Sequence, residues 1–100
     1  MTKTGTYTGN GLDDHDVDIG IDLASKACPY VIIKAATGNV AAKHRTEYGQ
    51  GDLTMGMDNT DDFANGIQSF TATGFQVGTN VAVNADGVTF RYIALWQEED

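Results

Sequence analysis

Asp13, Asp14, Asp16 and Asp18 crowd four carboxylates around His15. Closely spaced oxygen ligands are what Ca²⁺ takes, so these four aspartates are weak Ca²⁺ candidates. The mid-loop glycine and closing glutamate of an EF-hand are missing. Asp16 and Asp18 also alternate with Val17 and Ile19, which reads more simply as the wet face of a strand. Asp58, Asn59, Thr60, Asp61 and Asp62 form a second acidic stretch, read as a loop with Asp61 capping a helical turn to Asn65. His15, His44 and Cys28 offer three zinc-type ligands without diagnostic spacing. Ser25 and Ser69 are the only serines, and neither sits in a GxSxG elbow. Cys28 has no cationic neighbour to activate it and reads as a packed, inert thiol. The glutamates that could act as a glycosidase pair are Glu47, Glu98 and Glu99, the last two in a terminal tail. Gly9-Asn10-Gly11 precedes no helix, so it is not a phosphate loop. No residue set here assembles into catalytic machinery or a cofactor site, and the chain reads as a non-enzyme.

Contact chemistry is better represented. Lys43, His44 and Arg45 make a small basic spot suited to a carboxylate on a neighbouring subunit. Tyr48, in the Gly-rich loop from Glu47 to Gly51, is a candidate for an exposed contact, with Asn39 in a nearby turn. Tyr7, Tyr30, Tyr92 and Trp96 could stack on sugars, although the last three fall in core-type strands.

The balance of charge narrows the partners. The 14 carboxylates outnumber the 6 Lys and Arg, for a formal charge of −8. Such a chain repels phosphate backbones and anionic bilayers, so nucleic acid and membranes are poor partners. No apolar run approaches the roughly 20 residues that span a bilayer. Residues 1–10 lack the basic start and apolar core of a signal peptide, which points to synthesis and retention in a cytoplasm. A single cysteine allows no intrachain disulfide, leaving packing or association to supply stability.

The elements that must position these residues are strands. Of 100 residues, 41% are hydrophobic and 12 are Gly against 1 Pro, enough for one core with frequent turns. Val17, Ile19, Ile21 and Leu23 alternate with polar neighbours. Tyr30 to Ala35 is a nearly continuous apolar run, as for a strand buried on both faces. Val88, Phe90, Tyr92, Ala94 and Trp96 share one face of the clearest strand, with Thr89, Arg91, Ile93 and Leu95 on the other. Weaker strands cover Thr4–Thr8, Val40–Thr46, Leu53–Met57, Ile67–Phe70, Phe75–Gly78 and Val81–Val83. Asn10-Gly11 and Asp86-Gly87 are hairpin-type turns. The expected fold is therefore all-β: an antiparallel β-sandwich or jelly-roll-like barrel of 7–9 short strands. One domain spans 1–100, with an N-terminal arm over 1–5 and an acidic tail over 97–100.

In order along the chain stand Thr6-Tyr7-Thr8-Gly9-Asn10-Gly11, Val31-Ile32-Ile33-Lys34, Gly66-Ile67-Gln68-Ser69-Phe70, Thr73-Gly74-Phe75-Gln76-Val77-Gly78, Val83-Asn84-Ala85-Asp86-Gly87-Val88-Thr89-Phe90 and Tyr92-Ile93-Ala94-Leu95-Trp96. Together they resemble a β-rich domain of phage and prophage structural proteins, whose pattern runs YTGNG, GFxPDLVxIK, SFxxxGFxxG and VNxxGxxYxxxAF. Ala27-Cys28-Pro29-Tyr30-Val31 replaces the GFxPDLV approach, and Phe90 stands for the usual Tyr. The resemblance implies a virion structural protein and no catalytic residue. A free-standing copy looks like a head decoration or capsid-stabilising subunit on the major capsid protein, or a tail or tail-fibre receptor- or glycan-binding module. It further implies location in the virion and self-association, with a trimer as the first expectation. The arm that carries Thr2, Lys3 and Thr4 is then expected to add a strand to a neighbour's sheet, so that deleting Met1 to Gly5 weakens binding and spares the fold.

Overall fold

Period-two alternation decides which way the longest strands face. The computed structural model describes residues 1–38, 42–46, 54–57 and 63–97. Strand β1 spans Thr2–Thr8, β2 His15–Asp18, β3 Ala27–Ala35, β4 Lys43–Thr46, β5 Met55–Gly56, β6 Ile67–Phe70, β7 Gly74–Val77 and β8 Thr89–Gln97. A 3₁₀ turn covers Leu23–Ser25, and a single helical turn, α1, covers Val81–Asn84. The strands form a five-stranded sheet ordered β1-β8-β3-β4-β5 and a three-stranded sheet ordered β2-β7-β6. Every pairing in both is antiparallel. The all-β, sandwich-like architecture read from the sequence is the one observed.

The two sheets meet through the inward residues of each strand. Phe90, Tyr92, Ala94 and Trp96 of β8 and Val31 and Ile33 of β3 pack with Val17, Ile67, Phe75 and Val77 of the smaller sheet. Phe75 is edge-on to Tyr92 at 5.7 Å between centroids and to Tyr7 at 5.8 Å, joining the two sheets. Offset and edge-to-face aromatic pairs of this kind add to what burial alone contributes.

Several segments depart from the expectation. Val81–Val83 is helical rather than extended. The Asn80 side chain accepts from the Ala82 N–H at 2.8 Å, and Asn84 N–H closes on the Asn80 carbonyl at 3.0 Å. That local cap overrides the β preference of two valines. The alternating run from Val17 stops being a strand at Asp18, whose carboxylate accepts from Gly20 N–H at 2.9 Å. Ile19 and Leu23 are nonetheless buried, so the alternation gave the facing of these residues and not their extension. Strand β3 buries one face fully; Tyr30 and Ile32 on the other are half-buried.

Cys28 is exposed, not packed inside. Its φ of 53° and the register shift between Ala27 and Tyr30 turn the side chain outward. Asn39, Val40, Glu47, Tyr48, Leu53, Asp58, Asp61, Glu98 and Glu99 lie outside the described residues. Within the stretch expected to turn as a helix, Phe63 bridges to Thr54 and residues 64–66 bend.

The N-terminal arm is a strand. Thr2, Lys3 and Thr4 pair with Leu95, Ala94 and Ile93 of β8, in a register that continues to Thr8. The Met1 ammonium donates to the Trp96 carbonyl at 2.9 Å, and Trp96 N–H donates back to Met1 at 3.0 Å. The arm was expected to add its strand to a neighbour's sheet, because its Thr- and Lys-bearing pattern shows no apolar face to tie it to its own core. An edge strand needs no such face when a central partner such as β8 supplies the ladder. Deleting Met1–Gly5 is therefore expected to destabilise the fold itself. Cross-strand pairs at about 0.2–1 kcal/mol each imply a melting temperature lower by roughly 10 °C, measurable by circular dichroism.

Candidate functional site

Two segments carried by the resemblance, Thr8-Gly9-Asn10-Gly11 and Asn84-Ala85-Asp86-Gly87-Val88, meet at one end of the sandwich. Gly9 N–H donates to the Val88 carbonyl at 2.9 Å, Gly87 N–H to Gly9 at 3.0 Å, and Gly11 N–H to Asn84 at 2.8 Å. The Asn84 side chain, fully buried, organises the junction. Its Oδ1 accepts from Asn10 N–H at 3.0 Å, while its Nδ2 donates to the carbonyls of Leu12 at 2.8 Å and Gly78 at 2.9 Å. These partners fix the orientation of the amide. His15 Nδ1, 2.7 Å from the same Oδ1, must then be a donor. The imidazole is thus committed to holding a turn. Nothing in the residue types around Asn84 distinguishes it in sequence from an ordinary turn asparagine, so this hub was not foreseen.

Tyr7 closes the junction from below, with its hydroxyl donating to the Val83 carbonyl at 2.7 Å and its ring stacked on Phe90 at 5.3 Å. Burial pushes its phenol pKa well above the ordinary 10.0. In the unfolded chain the phenol titrates near that ordinary value. Below it both states hold the proton and the full stability is present. Above it the unfolded state releases the proton first, and stability falls as pH rises. The melting temperature should be level to about pH 9 and fall steeply beyond about pH 10. Tyr7→Phe should flatten that fall while costing about 1 kcal/mol at neutral pH for the lost hydrogen bond.

The basic triplet is divided between the two sides of β4. Lys43 and Arg45 point inward and are buried, whereas His44 is half-buried on the outer side. Arg45 Nη1 donates to the Ile67 carbonyl at 3.1 Å, and Lys43 Nζ lies 5.7 Å from the centre of the Phe63 ring. The period of 2 that governs β4 separates neighbours in sequence, so the expected basic spot is not a surface patch. His44 Nδ1 is 2.7 Å from the Tyr30 hydroxyl.

The acidic stretch is likewise occupied locally. Asp13 accepts from Gln68 Nε2 and Asp16 from Gln76 Nε2, each at 2.9 Å. Asp18 serves the turn at Gly20. Among the described residues, no three His, Cys, Asp or Glu side chains gather as a metal-holding group.

The outer face of the larger sheet has a different character. Cross-strand register sets Leu95, Tyr30 and Thr46 in one row beside Thr2, and Ile93, Ile32 and His44 in the next beside Thr4. Arg91 and Lys34 lie side by side in the third row, next to Thr6. Ile93, at the middle, is 42% exposed. The described carboxylates, Asp13, Asp14, Asp16, Asp18, Asp22 and Asp86, belong to β2 and the loops, and none falls in these rows.

Comparison with family models, curated proteins and solved structures finds no match. The geometry of the chain itself must therefore carry the functional reading. Among the described residues, no helix is long and apolar enough to cross a membrane. The structure supplies a locked turn junction and one sheet face that is apolar at its centre and cationic at one end. Both are suited to holding a shape and presenting a surface. Of the residues expected to meet a partner, His44 borders that face and Thr2 and Thr4 line its edge.

Proposed function

We propose that this chain is a virion structural subunit that acts by docking, most simply as a head decoration or capsid-stabilising protein on the major capsid lattice. The observation that carries this reading is the junction around Asn84. The YTGNG-like and VNxxG-like segments that resemble phage structural proteins lie over 70 residues apart in sequence, yet they bond directly to each other. The residues responsible for the resemblance therefore serve one fold, which supports reading them as a set. Their side chains are spent on architecture, and the outer sheet face is left as the surface through which such a subunit would work. Docking through an interface of about 1,600 Å² is the standard scale for a stable protein contact.

Cryo-electron microscopy of intact particles from the source that makes this chain tests the proposal. Density matching the two-sheet sandwich at regular positions on the capsid shell is the expected result. Density confined to a tail would replace the head reading with that of a tail or tail-fibre module. Particles without the chain would overturn the virion reading altogether.

A further inference from the structure

We propose that β1 is the seam of a two-fold homodimer, pairing antiparallel with β1 of a second copy about Gly5. Among the described residues, β1 closes one side of the larger sheet and has β8 as its neighbour. Met1 and Trp96 exchange both backbone bonds, and Gly9 N–H donates to the Val88 carbonyl in the same phase. Bonded and unbonded pairs alternate in an antiparallel ladder, so Lys3, Gly5 and Tyr7 spend their N–H and C=O on β8. Thr2, Thr4, Thr6 and Thr8 aim theirs away from the sheet, and all four are exposed. The other described edges are blunted by the usual means. β2 carries Asp16 and Asp18, β5 has 2 residues, and the pairing of β6 is interrupted between Ile67 and Ser69. β1 runs for 7 residues in unbroken register, without a carboxylate or a proline.

Outward backbone groups in that spacing are matched by another strand, and the order of residues selects a second copy. Thr2-Lys3-Thr4-Gly5-Thr6-Tyr7-Thr8 places threonine at mirrored positions about Gly5. A two-fold axis perpendicular to the sheet at Gly5 sets Thr4 opposite the partner's Thr6 and Thr2 opposite the partner's Thr8. Each of these is a bonded pair, so every outward N–H and C=O from Thr2 to Thr8 is satisfied. An axis at Thr4 or Thr6 would carry Thr8 or Thr2 past the end of the opposing strand. Threonines that face each other are also a favourable cross-strand pair. At the axis Gly5 opposes the partner's Gly5 in an unbonded pair, where Cα atoms come within about 4.5 Å. A Cβ on Gly5 would lie 2.7 Å from the Tyr92 hydroxyl, so glycine admits that ring from its own core and keeps the axis clear. Charge agrees with this pairing in a chain of net charge −8. Lys3 comes opposite the partner's Tyr7, the ring that lies 6.1 Å from the partner's His15 between Asp14 and Asp16, so a cation of each copy turns toward an acidic part of the other. The two larger sheets become one, bounded at both far edges by the short β5, and the assembly closes at two. It is two-fold where the resemblance implies a trimer. It leaves the outer sheet face open and does not depend on the virion reading.

Sedimentation equilibrium of the full chain is expected to show a dimer with Kd of about 100 μM or tighter. Thr4→Pro removes an outward donor and leaves the bonds to β8 in place. Its circular dichroism spectrum should match the wild type while the dimer weakens at least about tenfold. Ile93→Ala, on the outer face, should change the affinity by about twofold at most, and a loss as large as that of Thr4→Pro would move the interface to the face and overturn the seam. In the wild type, amide exchange at Thr4 and Thr6 should slow as concentration rises, with Gly5 protected throughout. In dimers mixed from labelled and unlabelled chains, the Lys3 Hα should lie against the partner's Tyr7 Hα, and absence of that contact overturns the Gly5 axis. A wild-type chain that stays monomeric to about 0.5 mM, or Thr4 and Thr6 amides that exchange alike at every concentration, overturns the proposal.

Discussion

Asn84→Ala should remove much of the stability of this domain. The substitution strips partners from Asn10 N–H, the Leu12 and Gly78 carbonyls and His15 Nδ1 in a single step. An unsatisfied buried polar group costs about 1–3 kcal/mol, and some of these four can turn to water. A loss of roughly 3–5 kcal/mol is therefore expected, against a total of about 5–15 kcal/mol for an ordinary domain. At about 4–8 °C per kcal/mol, the melting temperature should drop by roughly 15–30 °C. Asn84→Asp separates the two halves of the effect. It keeps an acceptor for Asn10 N–H and His15 but turns the donor contacts to the Leu12 and Gly78 carbonyls and to Asn10 Oδ1 into repulsion between oxygens. If Asn84→Asp melted with the wild type, the amide's donors would not be holding the junction.

Gly9→Ala acts on the same junction by sterics alone. A Cβ on Gly9 would lie 2.2 Å from the Ala85 carbonyl oxygen, 2.7 Å from the Asn84 carbonyl carbon and 2.9 Å from Phe90 Cε2. Two of these three atoms are backbone and cannot rotate away. The chain must therefore separate where Gly9 and Val88 bond. A destabilisation of about 3 kcal/mol or more is expected in urea titration. Gly20→Ala is the matched control. Gly20 has a φ of +75° and nothing within 4 Å, so alanine there meets only backbone strain of about 1–2 kcal/mol. Equal effects at the two positions would mean that the close approach at Gly9 is not tight. Because Gly9 and Asn84 share one network, their combined substitution should cost less than the sum.

The parts of the fold legible in the sequence were those governed by local period. The alternation of β8 placed Phe90, Tyr92, Ala94 and Trp96 inside and Arg91 and Ile93 outside, as the structure has them. The strand over Ile67–Phe70 was placed with its observed bounds. What could not be read was set by partners distant in sequence. β1 begins at Thr2, two residues before the strand read from Thr4 to Thr8, because β8 offers it a ladder, and Thr2 and Lys3 carry no sign of that. Lys43 and Arg45 turn inward because alternation on β4 is stronger than the preference of charge for water, provided a carbonyl such as that of Ile67 or an aromatic face waits inside. The exposure of Cys28 follows from an irregularity in pairing that the run of apolar residues after it does not announce. The outer face of the larger sheet was only half legible. Arg91, Ile93 and Leu95 were assigned to the outer side of β8, but Tyr30 and Ile32 were read as buried, and the rows that join them exist only in the register.

The mutual bonds between Met1 and Trp96 have an engineering consequence. They bring the first residue within 2.9 Å of a residue near the last, at one end of the larger sheet. A short flexible linker can span that gap, so the chain should tolerate being closed and reopened elsewhere, for instance at the exposed turn around Gly20 or Gly38. For the same reason the sandwich can sit within a longer polypeptide as a self-contained bead, entered and left through a single doorway.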